Sequence, residues 1–393
     1  MLARAVSHLR KLIEDLPAWS ALPRRVGLMA LKDFNHYVLL RSDRYFKRTR
    51  MWGYPSFVHF EPINRCNLEC PLCPLTTGRM DRETAVVSFA DFKTVIDQLG
   101  PFTKTLQLVG IGEPTMNKEL FEMIAYAKRR YSPIDITINT NGHFLNEMNV
   151  ERMISSGLDV AIIAYDGLDA DTFLTYRVGG DYDKLNQGIK RLVERRRTMG
   201  RRKPVVHLQL LLHRDAASQA EPFRRRAASL GVDIVRLKTL DVHYGIGERF
   251  DGSPDSTDLI PADVEHATRY RMEAGRLRLK RSVTTCDKPY LMTNINGDGS
   301  VTICDMDFNN WHPFGNVFTT PFREIWNGPA YVKYRDTMLR DFTALSMCAE
   351  CTCPMTFESE TDYEVHEELV DVPAEGGDWP GDKTIPVSRR SAL

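Results

Sequence analysis

The chain has no excess of either charge, no long apolar run, and no cysteine between Cys73 and Cys286. Each absence excludes a class of protein. Lys and Arg number 52 and so do Asp and Glu, which removes any global electrostatic case for nucleic acid. Nowhere do about 18 apolar residues follow one another, so no spanning helix is predicted. No small-residue cleavage site follows an apolar core near Met1, so a secretory signal is not expected. Secreted disulfide frameworks are short and cysteine-dense, whereas this chain spreads eight cysteines over 393 residues in two distant groups. Reduced thiolates holding metal in the cytoplasm are what these counts predict.

What is present is ample for folding. A hydrophobic content of 42% supports a real core, and the length suits one large domain with a smaller one. Residues 1–50 hold two apolar-periodic stretches, around Leu2–Leu16 and Val26–Leu40, rich in Arg and Lys. They read as a helical pair packed on the main domain, or as a basic amphipathic surface for peripheral membrane contact or a partner. From residue 51 to 240 short apolar runs alternate with amphipathic helices. The expected strands are Phe57–Glu61, Thr105–Val109, Asp135–Asn139, Val160–Ala164, Val205–Leu212 and Ile234–Lys238. Strand and helix repeated this way imply right-handed crossovers and a parallel sheet, with active-site groups at the strands' C-terminal ends. Residues 241–285 read as a linker with a charged helix near Ala262–Arg281, residues 286–357 as a second cysteine domain, and the acidic residues 358–393 as a mobile tail, with a docked one as the alternative.

The first cysteine group follows the first strand directly. Cys66, Cys70 and Cys73 stand in the spacing C-x3-C-x2-C. Taken alone, Cys70 and Cys73 read as half a zinc site or a redox pair; all three thiolates can instead hold three irons of a four-iron cluster and leave the fourth open. At later strand ends come Gly110-Ile-Gly-Glu-Pro114, Asn139-Thr-Asn-Gly142, and Ala164-Tyr-Asp-Gly167, with Arg177 beyond. In this order the motifs resemble the radical S-adenosylmethionine (SAM) superfamily. The resemblance implies an α/β fold, a partial (β/α)6 barrel. It also implies that the open iron binds SAM, with a flavodoxin- or ferredoxin-type protein as electron donor. By the same resemblance Gly110, Gly112, Glu113, Asn139, Asn141, Asp166 and Arg177 contact the cofactor. Two positions depart from the pattern: Ala164 stands where a serine is usual, and Leu72 where an aromatic residue precedes the third cysteine.

Cys286, Cys304, Cys348 and Cys351 form two folded pairs, which suit zinc or iron–sulfur. The turn at Gly297–Gly299 predicts a hairpin that returns Cys304 beside Cys286. Placed after such a barrel, this segment resembles the small α+β SPASM/twitch domains. That implies a second four-iron cluster, fully ligated and suited to electron transfer. The spacing is similar to that of aminocyclitol alcohol dehydrogenases within the group, which implies oxidation or epimerisation of a carbohydrate-like small molecule; maturation of a ribosomally made peptide is the alternative. Cys353 is left over as a replacement ligand, a passive thiol or a hydrogen donor. Lys238 and Tyr290, with His207, Gln209 and His243, are the remaining expected catalytic groups.

Overall fold

Six parallel strands carry the architecture, and each is apolar for a physical reason. β1 (Phe57–Phe60), β2 (Thr105–Leu108), β3 (Asp135–Thr140), β4 (Val160–Ala164), β5 (Val205–Leu212) and β6 (Ile234–Thr239) lie side by side in chain order. The register is regular, with Val58 opposite Leu106, Leu106 opposite Ile136 and Leu208 opposite Val235. Helices on one face cover Leu106, Leu108, Ile136, Ile138, Ala161, Ile163, Leu208 and Leu210, all buried in one core. The alternate residues of these strands face the other way, where no helix covers them, and several of them are polar. The computed structural model describes residues 24–242, 258–261, 269–273, 276–280, 285–349, 351–353 and 365–370.

The connecting helices begin where their sequences say they should. Ser88, Asn146, Asp169 and Asp181 each accept a hydrogen bond from the backbone N–H three residues on, which satisfies one of the orphan donors of a helix start. At the far end of Ala220–Leu230, Gly231 takes the left-handed conformation at φ 68° and turns the chain into β6.

The second cysteine group extends the same sheet. β9 (Met292–Ile295) pairs in parallel with β1, Phe57 opposite Met292, and β10 (Ser300–Thr302) returns antiparallel beside it, as the Gly297–Gly299 turn predicts. β11 (Gly315–Asn316) adds one edge. The strand order is β11-β10-β9-β1-β2-β3-β4-β5-β6, with Val365–Leu369 beyond β6, an open sheet rather than a closed barrel. The helix Pro329–Arg340 locks this extension down through Arg335, which is buried and donates to the carbonyls of Thr49, Pro289 and Trp326. Trp326 is buried beside it and donates its indole N–H to Gly53 O at 2.8 Å. Truncating such a side chain costs about 3–5 kcal/mol.

One expectation fails here, and one alternative is met in part. The charged stretch expected as a helix forms, within its described part, a two-stranded hairpin of β7 (Tyr270–Glu273) and β8 (Arg276–Leu279). Its strands alternate between apolar and charged residues, Tyr-Arg-Met-Glu and Arg-Leu-Arg-Leu, a period of two that outweighs the helix propensity of Arg and Leu. Of the acidic tail, the described residues dock as β12 (Val365–Leu369), antiparallel to β6. Arg224 holds Glu368 with two bonds at 2.6 and 2.7 Å, and Glu367 lies within ion-pair distance of Arg236 and His207. The acidic composition that suggested disorder is what pairs with these cations.

Candidate active site

A cavity of about 410 Å³ opens over the C-terminal ends of the parallel strands. Its floor follows from strand alternation: the residues of β1–β6 that face away from the helices are often polar. His59, Gln107, Asn139, Gln209, Arg236 and Lys238 all line it.

Cys66, Cys70 and Cys73 line the cavity together, and all three are free thiols. Their loop is anchored by Glu61, a fully buried carboxylate at the end of β1. Arg82 grips it with two bonds of 2.8 and 2.9 Å. The backbone N–H of Ile111 and of Gly297 reach it at 3.2 and 3.0 Å. One side chain therefore gathers the cysteine loop, the Gly110–Glu113 turn and the β9–β10 hairpin. The two glycines are needed for this packing. A Cβ on Gly110 would lie 2.4 Å from Glu61 Cγ, and one on Gly112 would lie 2.4 Å from the Ile63 carbonyl. The close approach they allow is first to the protein itself.

The thiols fit an iron–sulfur cluster. Burial raises the pKa of Cys66 and Cys73 above the ordinary thiol value, and neighbouring cysteine charges add to this. Such thiols ionise readily only when a metal takes the proton's place. N–H donors already point at the sulfurs: Leu68 N at 3.5 Å and Asn141 Nδ2 at 3.8 Å from Cys66 Sγ, and Arg177 Nη1 at 3.4 Å from Cys70 Sγ. Donors of this kind tune cluster potentials. Among the described residues no group of three or more His, Cys, Asp or Glu is preformed as a metal cage.

Beside the thiols, Glu113 is buried and its pKa is raised by burial, against several hydrogen bonds. Asn141 N donates to Oε2 at 2.7 Å, Thr140 Oγ1 to Oε1 at 2.7 Å, and the Thr115 hydroxyl also donates to Oε1. A carboxylate desolvated but held in place suits a cationic ligand group. Arg177 reaches the cavity from the opposite side, its Nε 2.6 Å from Asp166 Oδ2. Asp166 does not line the cavity. It is wholly buried, accepts Leu211 N at 2.6 Å and acts by fixing Arg177. At the position where Leu72 replaces an aromatic residue, the cavity wall has an aromatic ring from Tyr176 instead, stacked on His213 at 5.9 Å.

The second group is brought together as well. Cys304 and Cys348 are buried, Cys286 and Cys351 half-buried, and none is in a disulfide. Burial first, then one another's charge, pushes Cys348 up to about 11 and Cys351 up to about 12. Tyr334 Oη lies 3.2 Å from Cys348 Sγ. This donor set fits a metal cluster by the same reasoning. Lys288 and Asp305 stand between the two groups and line the cavity, Nζ to Oδ1 at 3.4 Å. Burial would raise the Asp305 carboxyl, yet Lys288 and His59 hold it well below the usual carboxylate range.

Cys353 parts company with its neighbours. It lines the main cavity with the first three cysteines, its Sγ 3.5 Å from Asp241 Oδ2 and 3.6 Å from Arg269 Nη1. Arg269 is buried and also donates to Thr239 and to Thr352 O, so it clamps the end of β6 to the Cys353 loop. Lys238 and Gln209 line the cavity, as does Asp241, which the sequence reading passed over. Tyr290 does not. It is buried behind the second group in a smaller cavity with Arg44 and Cys286, with the Arg44 guanidinium 5.7 Å from its ring centre. His207, on the same face of β5 as Gln209, does not line the main cavity either and lies 3.5 Å from Glu367. His243 lies outside the described residues.

Comparisons with known proteins agree with this arrangement. Residues 60–208 match the radical SAM superfamily, and residues 286–352 match SPASM, an iron–sulfur cluster-binding domain. The tungsten-containing aldehyde ferredoxin oxidoreductase cofactor-modifying protein of Pyrococcus furiosus is 24% identical over 312 residues, covering 71% of this chain and 83% of that protein. The PqqA peptide cyclase of Granulibacter bethesdensis is 24% identical over 298 residues, 70% of this chain and 75% of that one. Among solved structures, SuiB of Streptococcus suis bound to the precursor peptide SuiA aligns with a TM-score of 0.53 at 16% identity, covering 74% of this chain and 69% of that chain.

Proposed function

Because the chain belongs to the radical SAM superfamily and carries an SPASM iron–sulfur domain, we propose that it inverts a carbon centre. In this reading a hydrogen atom leaves a substrate seated against Lys238, Asp241 and Cys353, and another returns from the Cys353 thiol. When bound, a four-iron cluster on Cys66, Cys70 and Cys73 supplies the electron that splits SAM into methionine and a 5′-deoxyadenosyl radical, the species that takes the substrate hydrogen.

The chain's own residues do the rest. Glu113 receives the SAM ammonium, Arg177 its carboxylate, and Asn139 and Asn141 its ribose, while Gly110 and Gly112 keep that wall thin. Asp166 positions Arg177. Cys286, Cys304, Cys348 and Cys351 hold a second, fully ligated four-iron cluster. Return of hydrogen breaks the Cys353 S–H bond and forms the product C–H bond. One electron from a flavodoxin- or ferredoxin-type donor and one proton, passed through Asp241, then restore the thiol.

The observation that carries this reading is the place of Cys353, on the cavity wall beside the first cysteine group and 3.5 Å from a carboxylate. Oxidation, with Lys238 as the base, is the competing outcome. The cysteine spacing favours a carbohydrate-like small molecule as substrate, and the peptide-modifying relatives favour a precursor peptide. Turnover in D2O with both substrate classes tests the scheme. One solvent deuterium at an inverted carbon is expected, and Cys353→Ala should stop inversion while SAM cleavage continues. A product two hydrogens lighter, without deuterium and unaffected by Cys353→Ala, would refute it.

A further inference from the structure

The helical run from Arg24 to Tyr45 has an outer surface that none of the chemistry above uses. Twelve large apolar side chains stand exposed among the described residues, and six of them fall on this run or just after it. They are Val26, Met29, Tyr37, Val38, Tyr45 and Phe46, with Tyr37 54% and Tyr45 80% exposed. Scattered exposed hydrophobics are ordinary, but a concentration of this kind marks an interaction surface.

Its charge is one-sided. Arg25, Arg41, Lys47 and Arg50 are exposed along the same stretch. The acids are withheld: Asp33 Oδ1 accepts Lys104 Nζ at 2.8 Å, and Asp43 is fully buried. The inner side is committed to the domain. Asn35 Nδ2 donates to Tyr54 O at 2.7 Å, His36 Nδ1 lies 2.8 Å from Ser56 Oγ, and Lys32 donates to the carbonyls of Tyr131 and Pro133 at 2.6 Å. Held this way, the helix cannot roll to bury its outer stripe.

We propose that this stripe seats the protein on the surface of an anionic lipid bilayer. The run is continuous, with a π-helical stretch at Phe34–Leu40 between two α-helical ones, and at about 1.5 Å per residue it extends roughly 30 Å. Aromatic and aliphatic side chains enter the headgroup boundary while the cations meet lipid phosphates. No helix among the described residues is long and apolar enough to cross a membrane, so the contact is a resting one. An acidic protein would meet the cations but not the apolar side chains among them, whereas a headgroup boundary takes both.

Co-sedimentation of the full-length, cluster-loaded protein with vesicles tests the proposal. Vesicles of phosphatidylcholine with about one-third phosphatidylglycerol should bind it, phosphatidylcholine alone should bind far less, and added salt should release it. Tyr45→Ser with Phe46→Ser should lower partitioning about tenfold or more, and Arg41→Glu with Lys47→Glu roughly a hundredfold. Iron content and SAM cleavage in both variants should equal those of the unaltered protein. The proposal is overturned if the unaltered protein ignores anionic vesicles. It is equally overturned if both variants bind as well as it does, which would place the contact elsewhere, or if the protein binds polyglutamate but not vesicles.

Discussion

Neutralising either partner of the Glu61–Arg82 pair should destabilise the protein far more than a surface ion pair would. Both side chains are almost wholly buried, at 2% and 5% exposure, and they meet through two bonds of 2.8 and 2.9 Å. Glu61 takes two further backbone donors, Ile111 and Gly297, and Arg82 also donates to the carbonyl of Phe308. In Arg82→Met the carboxylate stays buried with only its two backbone donors. In Glu61→Gln the guanidinium faces an amide that cannot match its fork. Breaking one side of a buried pair costs about 3–5 kcal/mol, against about 0–1 kcal/mol for exposed pairs. Removing both partners leaves no uncompensated charge, so the double variant should cost clearly less than the two singles added, with a coupling of about 2–3 kcal/mol. Anaerobic urea unfolding of the four proteins, followed by far-UV circular dichroism, measures all of this. Because Glu61 also holds the Gly110–Glu113 turn, SAM affinity by equilibrium dialysis should fall in both singles. Additive losses, or singles costing under about 1 kcal/mol, would refute the idea that this pair is dry and shared by three segments.

Arg177→Lys should keep a positive charge but lose the fork between Asp166 and Cys70. A charge-assisted hydrogen bond contributes about 1.5–3 kcal/mol, so SAM should bind roughly 10- to 100-fold more weakly, and the cluster's midpoint potential should shift in spectroelectrochemistry. Asp43 is pushed up to about 6 by burial, despite the N–H groups of Gly53 and Trp52. Between pH 3.8, its ordinary value, and about 6, the folded protein holds a proton that the unfolded chain has lost. Its contribution is therefore present in acid and is lost as pH rises through about 6, by up to about 3 kcal/mol. Asp43→Asn should flatten that slope in denaturation curves taken from pH 4 to 7, and an unchanged slope would show that another group carries it.

Much of the site was legible because it sits in consecutive motifs at strand ends. The three-cysteine loop, the Gly110–Glu113 turn and the Asn139–Gly142 segment each follow a strand whose apolar run is unmistakable, and all reach one cavity. A second signal singled out Gln209 and Lys238 but extends further. Single polar residues at alternate positions inside apolar strands, such as His59, Gln107, Gln209, Arg236 and Lys238, face away from the helices, and all line the cavity. Asp241, two residues beyond β6, follows from the same strand-end logic. Other features depend on contacts distant in sequence. Asp166 resembles a ligand in its motif, but its role is set by Arg177 and by Leu211 N on the next strand. Tyr290 stands close to Cys286 in sequence, yet its helix Lys288–Leu291 turns it toward Arg44. The tail strand needs Arg224 and Arg236, more than a hundred residues away, before its acids favour order.

The parallel pairing of β1 with β9 has a consequence for synthesis. Phe57 faces Met292, 235 positions later in the chain. At about 5–20 residues per second, roughly 10–50 s of translation separate the two strands. Throughout that interval β1 has β2 on one side and a bare hydrogen-bonding edge on the other, with Cys66, Cys70 and Cys73 directly downstream. An exposed edge invites pairing with other chains, so the nascent protein is most vulnerable to aggregation until the second cysteine group has been made. Pairing with β9 closes that edge.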